Sequence, residues 1–459
     1  MTRLSSSTPL PSTVRAPGYR REAHGFGIVH LGVGAFHRAH QALYTEDALE
    51  AEGGDWRTIG VSLRSAGVPN ALNPQDGLYT VVYRGNDALP RVVGNIGPVL
   101  GPLESDHARI MAALADPAVR VISLTVTEKG YGRAAGGGLD MAHPSVAADK
   151  ADAERGGLAV PRSVPGLIAA ALVAREASRA GPVTVLSCDN LAGNGEELKR
   201  LVAEMLGREP DNVTFPATMI DRITPASTDE TRRDAAAALG VTDEAAIETE
   251  PFTQFVVEDD FADGRPAWEA GGAVFVDDVG PHEMMKLRML NGAHSFMAYL
   301  GQLHGLEYVR DVSGDPQIAA RVNAYMAAAQ ATLPPVPGVD LSQYAKELMA
   351  RYRNPAIAHR TRQIAMDGTQ KLPQRIFAPA LKVQAAGGDV APFAEVIGLW
   401  MAYAAREAKT GTLDDPLADR VAAADGDPAQ LAKVIGVPEP LASGPFMEQA
   451  VRTFANYQP

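Results

Sequence analysis

The chain has 459 residues, 46% of them hydrophobic and 21% charged, a length that calls for two or three domains rather than one core. Its 42 Lys and Arg against 55 Asp and Glu leave a formal charge of -13, which repels phosphate backbones and anionic membranes and excludes nucleic acid and membrane as expected partners. The one cysteine, Cys188, excludes an intramolecular disulfide and a cysteine-rich zinc site. No apolar run reaches the about 18 residues of a membrane span, and the Ser-, Thr- and Pro-rich opening lacks a signal-peptide core, so a cytoplasmic location is expected.

In chain order, residues 1–25 read as an extended arm. Residues 27–31 form an apolar strand candidate, Gly32-Val33-Gly34 a glycine turn, residues 36–52 a helix and 58–63 a second strand. Strand, glycine turn, helix and strand make the first unit of a doubly wound sheet. Further strands are expected at 120–126 and 183–186, with a helix over 165–180 between them, and marginal strands at 214–220 and 272–275. Beyond about residue 280 strand signals nearly vanish. Helical spacing marks 283–300, 317–333, 341–352, 356–366 and 393–409. The expected organisation is an arm (1–25), an α/β Rossmann-type dinucleotide-binding domain (26–280) and a mainly α-helical C-terminal domain (281–459) that binds substrate and carries the chemistry.

Gly32 and Gly34 follow a strand and open a helix, where missing side chains let backbone amides approach a pyrophosphate. Ala35 and Phe36, where that helix opens, are expected to bind the cofactor with them. The full G-x-G-x-x-G pattern is absent because position 37 is His, and a lone G-x-G equally describes a tight turn. The second strand ends in Ser62-Leu63-Arg64-Ser65 without the carboxylate that binds an adenosine ribose. Arg64 is either a contact for a 2′-phosphate or a solvated surface residue, so NAD is expected with NADP left open.

On an α-helical wheel of about 100° per residue, with Lys286 at 0°, Glu283 falls near 60°, His294 near 80° and Asn291 near 140°. These four polar residues share one side of an otherwise apolar helix. That pattern describes either a catalytic face or a polar stripe. Oxidation of a secondary alcohol needs a base for the hydroxyl proton and donors for the alkoxide oxygen. A lysine serves if burial or a neighbouring cation lowers its pKa. His37 and His40 have no evident third partner and there is no H-E-x-x-H, so zinc chemistry is not expected. A G-x-S-x-G elbow is missing as well, and Cys188 reads as a structural thiol.

The segments IVHLGVGAFHRAHQALYT (28–45), VISLTVTEKGY (121–131), SCDNLAGNG (187–195), DRITPA (221–226), EPFTQFVVEDDFADGRPAWE (250–269) and EMMKLRMLNGAHSF (283–296) resemble the long-chain mannitol dehydrogenase family, which includes polyol 2-dehydrogenases and fructuronate reductase (D-mannonate oxidoreductase). The resemblance spans about residues 25–405. It implies a Rossmann-type domain followed by a helical one, and a zinc-independent, NAD-dependent oxidoreductase. In the K-x-x-x-x-N-x-x-H motif it implies Lys286 as general base, Asn291 and Asn190 as donors to the alkoxide oxygen, and His294 on substrate hydroxyls. Glu283 would line a proton path from the lysine. Asp221 and Lys371 match substrate contacts. An arginine expected about eight residues before Lys371 is replaced by Gln363, with Arg360 and Arg362 nearby.

The segment IAMDGTQKLPQR (364–375) resembles the fructuronate reductase branch, where Lys371 or Arg360 would meet a sugar-acid carboxylate. A polyol such as mannitol, sorbitol or arabinitol is the other substrate reading. A nucleotide-binding sensor without chemistry is the alternative class. A monomer or weak homo-oligomer is expected.

Overall fold

The computed structural model describes residues 2–85, 88–134, 136–158 and 160–457. The chain divides into two compact units, Met1–Val279 and Gly280–Pro459.

The first unit holds β1 (Phe26–Leu31), β2 (Arg57–Val61), β3 (Tyr79–Tyr83), β4 (Arg91–Val93), β5 (Ile96–Leu100), β6 (Val121–Leu124), β7 (Val183–Ser187), β8 (Val213–Thr214), β9 (Thr218–Asp221), β10 (Ile247–Thr249), β11 (Gln254–Glu258) and β12 (Val274–Val276). Six of them form a parallel sheet in the order β5-β2-β1-β6-β7-β8. Two further three-stranded sheets, β10-β3-β4 and β12-β11-β9, complete the strands of this unit.

Alternation along the central strands supplies both faces of the parallel sheet. Val29, Leu31, Ile122, Leu124 and Val185 enter one core with the Val164–Ser178 helix. Ile28, Val121 and Leu186 enter a second core with Tyr44, Phe255 and Trp268. Strands buried on two faces read as continuous apolar runs, which is why β1, β6 and β7 are legible in the sequence. The strand order reverses direction between β1 and β6. In open parallel sheets the carboxyl ends beside such a switch form the ligand crevice.

Three expected elements differ. The helix over 36–52 breaks at His40 (φ -121, ψ -98) into Ala35–Ala39 and Gln41–Ala51. The strand over 214–220 divides between sheets, β8 beside β7 and β9 antiparallel to β11. Of the helix over 356–366 only Thr361–Ala365 forms, because Asn354 turns the chain by accepting from the Ala356 amide and Arg360 is extended.

The arm folds onto this unit, apart from Met1, which lies outside the described residues. Leu4 and Val14 are buried against Leu78, Val92 and Leu239, and Arg3 donates to Gln75 Oε1 (2.9 Å) and the Ala71 carbonyl (2.6 Å).

The second unit is helical among its described residues. Its core gathers Met285, Met289, Phe296, Tyr325, Phe393 and Trp400 around the Gly292–His304 and Ala391–Thr410 helices. No helix among the described residues is long and apolar enough to cross a membrane.

Candidate active site

In the first unit, β1 runs into Gly32, whose φ of +92° suits glycine. A Cβ there would stand 2.1 Å from the Thr125 carbonyl oxygen at the end of β6, so the two strand ends close only around a glycine. Gly34 is different. It is extended, caps Ala35–Ala39, and a Cβ would meet nothing nearer than 3.8 Å. Its missing side chain therefore leaves open space beside the turn.

That space belongs to a cleft of about 380 Å³ lined by Gly32, Gly34, Ser62, Arg64, Thr125 and Lys129, among others. Arg162 also lines it, paired with Asp152 at 2.9 Å. No described lining residue is a carboxylate. Cations around exposed backbone at a switch point suit a pyrophosphate. Arg64 is exposed on the rim, as its solvated reading required, and lines the cleft as well. Ala35 and Phe36 are not in the lining. Phe36 stacks on His40 at 5.1 Å.

His37, standing where the pattern has its third glycine, is buried and stacks on His30 of β1 with ring centroids 3.4 Å apart. The imidazole fills the helix–strand contact that a glycine would close by approach. His40 turns away to the Gln254 carbonyl, 2.9 Å from its Nε2. Among the described residues no group of three His, Cys, Asp or Glu is placed to hold a metal.

Sequence reasoning missed the residues that shape the next loop. Asp189 is buried, and its carboxylate accepts from the Val126 amide (3.0 Å), the Thr127 amide (2.8 Å) and the Tyr131 hydroxyl (3.0 Å). It thereby ties the end of β7 to the cleft-lining loop after β6. Burial raises its pKa against the pull of those donors. Asn194, fully buried, donates to the Asp189 carbonyl (3.1 Å) and the Thr218 carbonyl (3.0 Å) and accepts from the Thr218 amide (2.9 Å). This one side chain joins the segment carrying Asn190 to β9, which ends at Asp221. Asn190 is exposed and Asp221 is 8% exposed. Both residues lie in quoted motifs, but only the fold shows what holds them. Cys188 is buried, and burial beside Asp189 pushes its thiol pKa well up, away from the nucleophilic thiolate.

In the second unit, Glu283, Lys286, Asn291 and His294 lie on one continuous helical run over 280–304. Its middle is not α-helical. Lys286–Asn291 is a single π-helical turn, so the wheel that separated Lys286 and Asn291 by about 140° does not apply. An i→i+5 hydrogen bond closes the turn in five residues and brings these two side chains toward the same angular position. Lys286 is 9% exposed, and Met285 and Met289 are fully buried.

His294 is 8% exposed, its ring against Tyr352 (4.8 Å) and edge-on to His359 (5.0 Å). Its Nε2 is buried without a partner among the described residues. Burial, then the neighbouring basic groups His359, Arg351, Arg375 and Lys286, hold its pKa well below the ordinary value. At neutral pH the ring is uncharged and offers one donor and one acceptor. It sits in a distinctly cationic neighbourhood.

The two cations expected from sequence each have a partner within the second unit. Arg360 is 60% exposed and pairs with Glu307 at 2.7 Å. The Lys371 amine donates to the Met366 carbonyl (2.7 Å), closing the end of the Thr361–Ala365 helix. Arg375, four residues on, reaches the Asn291 carbonyl (3.3 Å) and the Ser295 hydroxyl (2.9 Å). It lies in a second π turn, Pro373–Phe377, which packs against the first.

Family comparisons agree over most of the chain. The mannitol dehydrogenase Rossmann domain matches residues 26–270 and the mannitol dehydrogenase C-terminal domain residues 278–447. The chain is 45% identical to the D-mannonate oxidoreductase of Escherichia coli over 82% of its own length and 79% of the relative's. It is 38% identical to the mannitol 2-dehydrogenase of Cereibacter sphaeroides, over 91% and 90%. The solved structure of Pseudomonas fluorescens mannitol 2-dehydrogenase, a ternary complex with NAD and D-mannitol, superposes with a TM-score of 0.84 at 33% identity, covering 99% of this chain and 96% of that one. With both halves of the family model matched in order, the chain belongs to the mannitol dehydrogenase family of oxidoreductases.

Proposed function

We propose that this protein is an NAD-dependent dehydrogenase of an open-chain sugar acid, with the D-mannonate/D-fructuronate pair as its leading substrates. The observation that carries the substrate class is the cationic surround of His294: Lys286 lies on the same helical run, Arg375 bonds the adjacent Ser295 hydroxyl, and Arg351 precedes Tyr352, whose ring packs on His294. A carboxylate-bearing substrate complements such a surround, and guanidinium groups are suited to bind it. Similarity to a D-mannonate oxidoreductase at 45% identity supports the same reading. Arg351 takes the carboxylate role in this proposal, and Arg375, bonded to the Asn291 carbonyl and the Ser295 hydroxyl, adds its charge to the surround. Arg360 and Lys371, the cations expected from the sequence, remain candidates for the same carboxylate, Arg360 beside Glu307 and Lys371 beside the Met366 carbonyl.

Residues 26–280 are assigned to the coenzyme and 281–459 to substrate and catalysis. The glycine-lined cleft, with cations and no carboxylate in its described lining, fits the pyrophosphate of a nicotinamide dinucleotide. Gly32, Gly34, Ala35 and Phe36 are assigned to the pyrophosphate turn and Arg64 to the adenosine side. When bound, NAD supplies the hydride acceptor. Lys286 takes the hydroxyl proton as the carbinol carbon loses hydride, and returns it in the reductive direction. The amides of Asn291 and Asn190 donate to the oxygen as its charge develops. His294 and Asp221 hold substrate hydroxyls, and Glu283 passes the proton onward.

The test is a panel of D-fructuronate and D-fructose, each with NADH and with NADPH. The expected result is turnover with NADH and a kcat/KM for fructuronate at least about tenfold above that for fructose, the worth of one retained ionic contact. A preference for fructose would move the protein to the polyol 2-dehydrogenases. Tight NADH binding without turnover of any ketose or keto-acid would make it a sensor.

A further inference from the structure

The π turn at Lys286–Asn291 needs an explanation, because an isolated π segment is less favourable than the α-helix on either side of it. Three carbonyls in or at the end of this turn receive donors from outside the helix. The Tyr325 hydroxyl donates to the Arg288 carbonyl (2.9 Å), the Tyr352 hydroxyl to the Leu290 carbonyl (3.1 Å), and Arg375 Nη1 to the Asn291 carbonyl (3.3 Å). The donors come from three separate helical segments, Pro316–Gln330, Leu341–Tyr352 and the Pro373–Phe377 turn.

A fourth residue makes room for one of them. A Cβ on Gly292, the first residue after the turn, would stand 1.8 Å from the Tyr325 hydroxyl oxygen and 2.7 Å from its ring carbon. Glycine there lets the phenol approach the backbone. Tyr325 is fully buried, so its hydroxyl has little access to water as a substitute partner.

We infer that Tyr325, Tyr352 and Arg375, with Gly292, are positioning residues that hold the helix in its π form and thereby keep Lys286 and Asn291 in register. The inference rests on the assignment of Lys286 as base and Asn291 as alkoxide donor. Three carbonyls bonded to donors outside the helix resist tightening, since an α-turn would draw them back into the i→i+4 ladder. Relaxation to α-helix would return Asn291 toward about 140° from Lys286 and separate the base from its partner.

The experiment uses the full-length enzyme, with Tyr325→Phe, Tyr352→Phe, Gly292→Ala and, as reference, Lys286→Ala. Each is assayed for kcat, KM for both substrates, the pH profile of kcat, and melting temperature. Tyr325→Phe and Gly292→Ala remove the same hydrogen bond by opposite routes. Both should lower kcat by about 10- to 100-fold, the scale expected for a misplaced catalytic group. KM for coenzyme should stay within about twofold, and the basic limb of the pH profile should move, which lost stability alone would not cause. Tyr352→Phe should act in the same direction and covers the case in which a Tyr325 or Gly292 variant fails to fold. If Lys286→Ala is inactive while the folded positioning variants keep wild-type kcat and pH profile, the inference is overturned and the base assignment stands. If Lys286→Ala remains active, the base assignment itself falls, and the inference with it.

Discussion

Asp189 illustrates how a residue acts without touching the chemistry. Its carboxylate collects two amides and a phenol from the loop after β6, and Thr127 in that loop holds a φ of +65° that a non-glycine residue rarely adopts. Three bonds to a buried acceptor hold that conformation in place. Asp189→Asn would leave one oxygen and turn an NH2 group toward donors. We expect stability to fall by roughly 1–3 kcal/mol in urea unfolding. NADH affinity, followed by fluorescence titration, should weaken by about tenfold, roughly 1.4 kcal/mol, because the loop lines the cleft. An Asn variant that binds NADH as tightly as wild type would show that the loop does not need this anchor. Asn194 serves a similar end, with one amide spanning the segments of Asn190 and Asp221.

At the scale of elements, legibility follows burial. β1, β6 and β7 are buried throughout or nearly so, and their apolar runs mark them in the sequence. β5 is not legible, because Gly97 and Pro98 interrupt it. It forms the edge of the sheet, where proline is tolerated. β3, β4, β10 and β11 belong to small sheets whose pairing joins distant segments, such as Thr249 with Tyr83, and no local period announces that. The helices Leu103–Ala115 and Asn194–Leu206 bury one apolar face each, Ile110 and Leu114 in the first and Leu198, Leu201, Val202 and Met205 in the second, and so lack the continuous apolar run that marks the buried strands.

The helical run over 280–304 shows the limit most clearly. Its residue types and five-residue spacing are in the sequence, and the motif resemblance selects them. The π geometry is not, since it depends on donors from Tyr325, Tyr352 and Arg375, 34 or more positions away. The neighbouring π turn has a local cause. Pro373 lacks an N–H and its ring crowds the carbonyl four residues earlier, so the helix over 368–385 widens there.

Across the whole molecule, uncharged histidines are buried in both units. Burial lowers the pKa to about 3 at His30 and about 4 at His359, and keeps His37 and His294 well below 6.5. A folded-state pKa below the unfolded value means that the unfolded chain binds more protons between the two. Stability from these groups is therefore present above about pH 6.5 and is lost as pH falls toward 4. Buried Glu46, Asp189 and Asp243, raised by desolvation, act in the opposite sense, so the histidine contribution is best read as a difference. His359→Gln should make the slope of unfolding free energy against pH, between about 4 and 6.5, shallower by up to one proton than wild type. Parallel curves would contradict the assignment of His359 as a half-buried neutral ring.

The central claim is that a mannitol dehydrogenase family oxidoreductase uses Lys286 as its base. Steady-state turnover of Lys286→Ala with D-fructuronate and NADH, beside a direct titration of NADH binding, tests it most directly. The account predicts a loss in kcat of about 10²–10⁴ with coenzyme affinity unchanged. Near-normal turnover at neutral pH would contradict it.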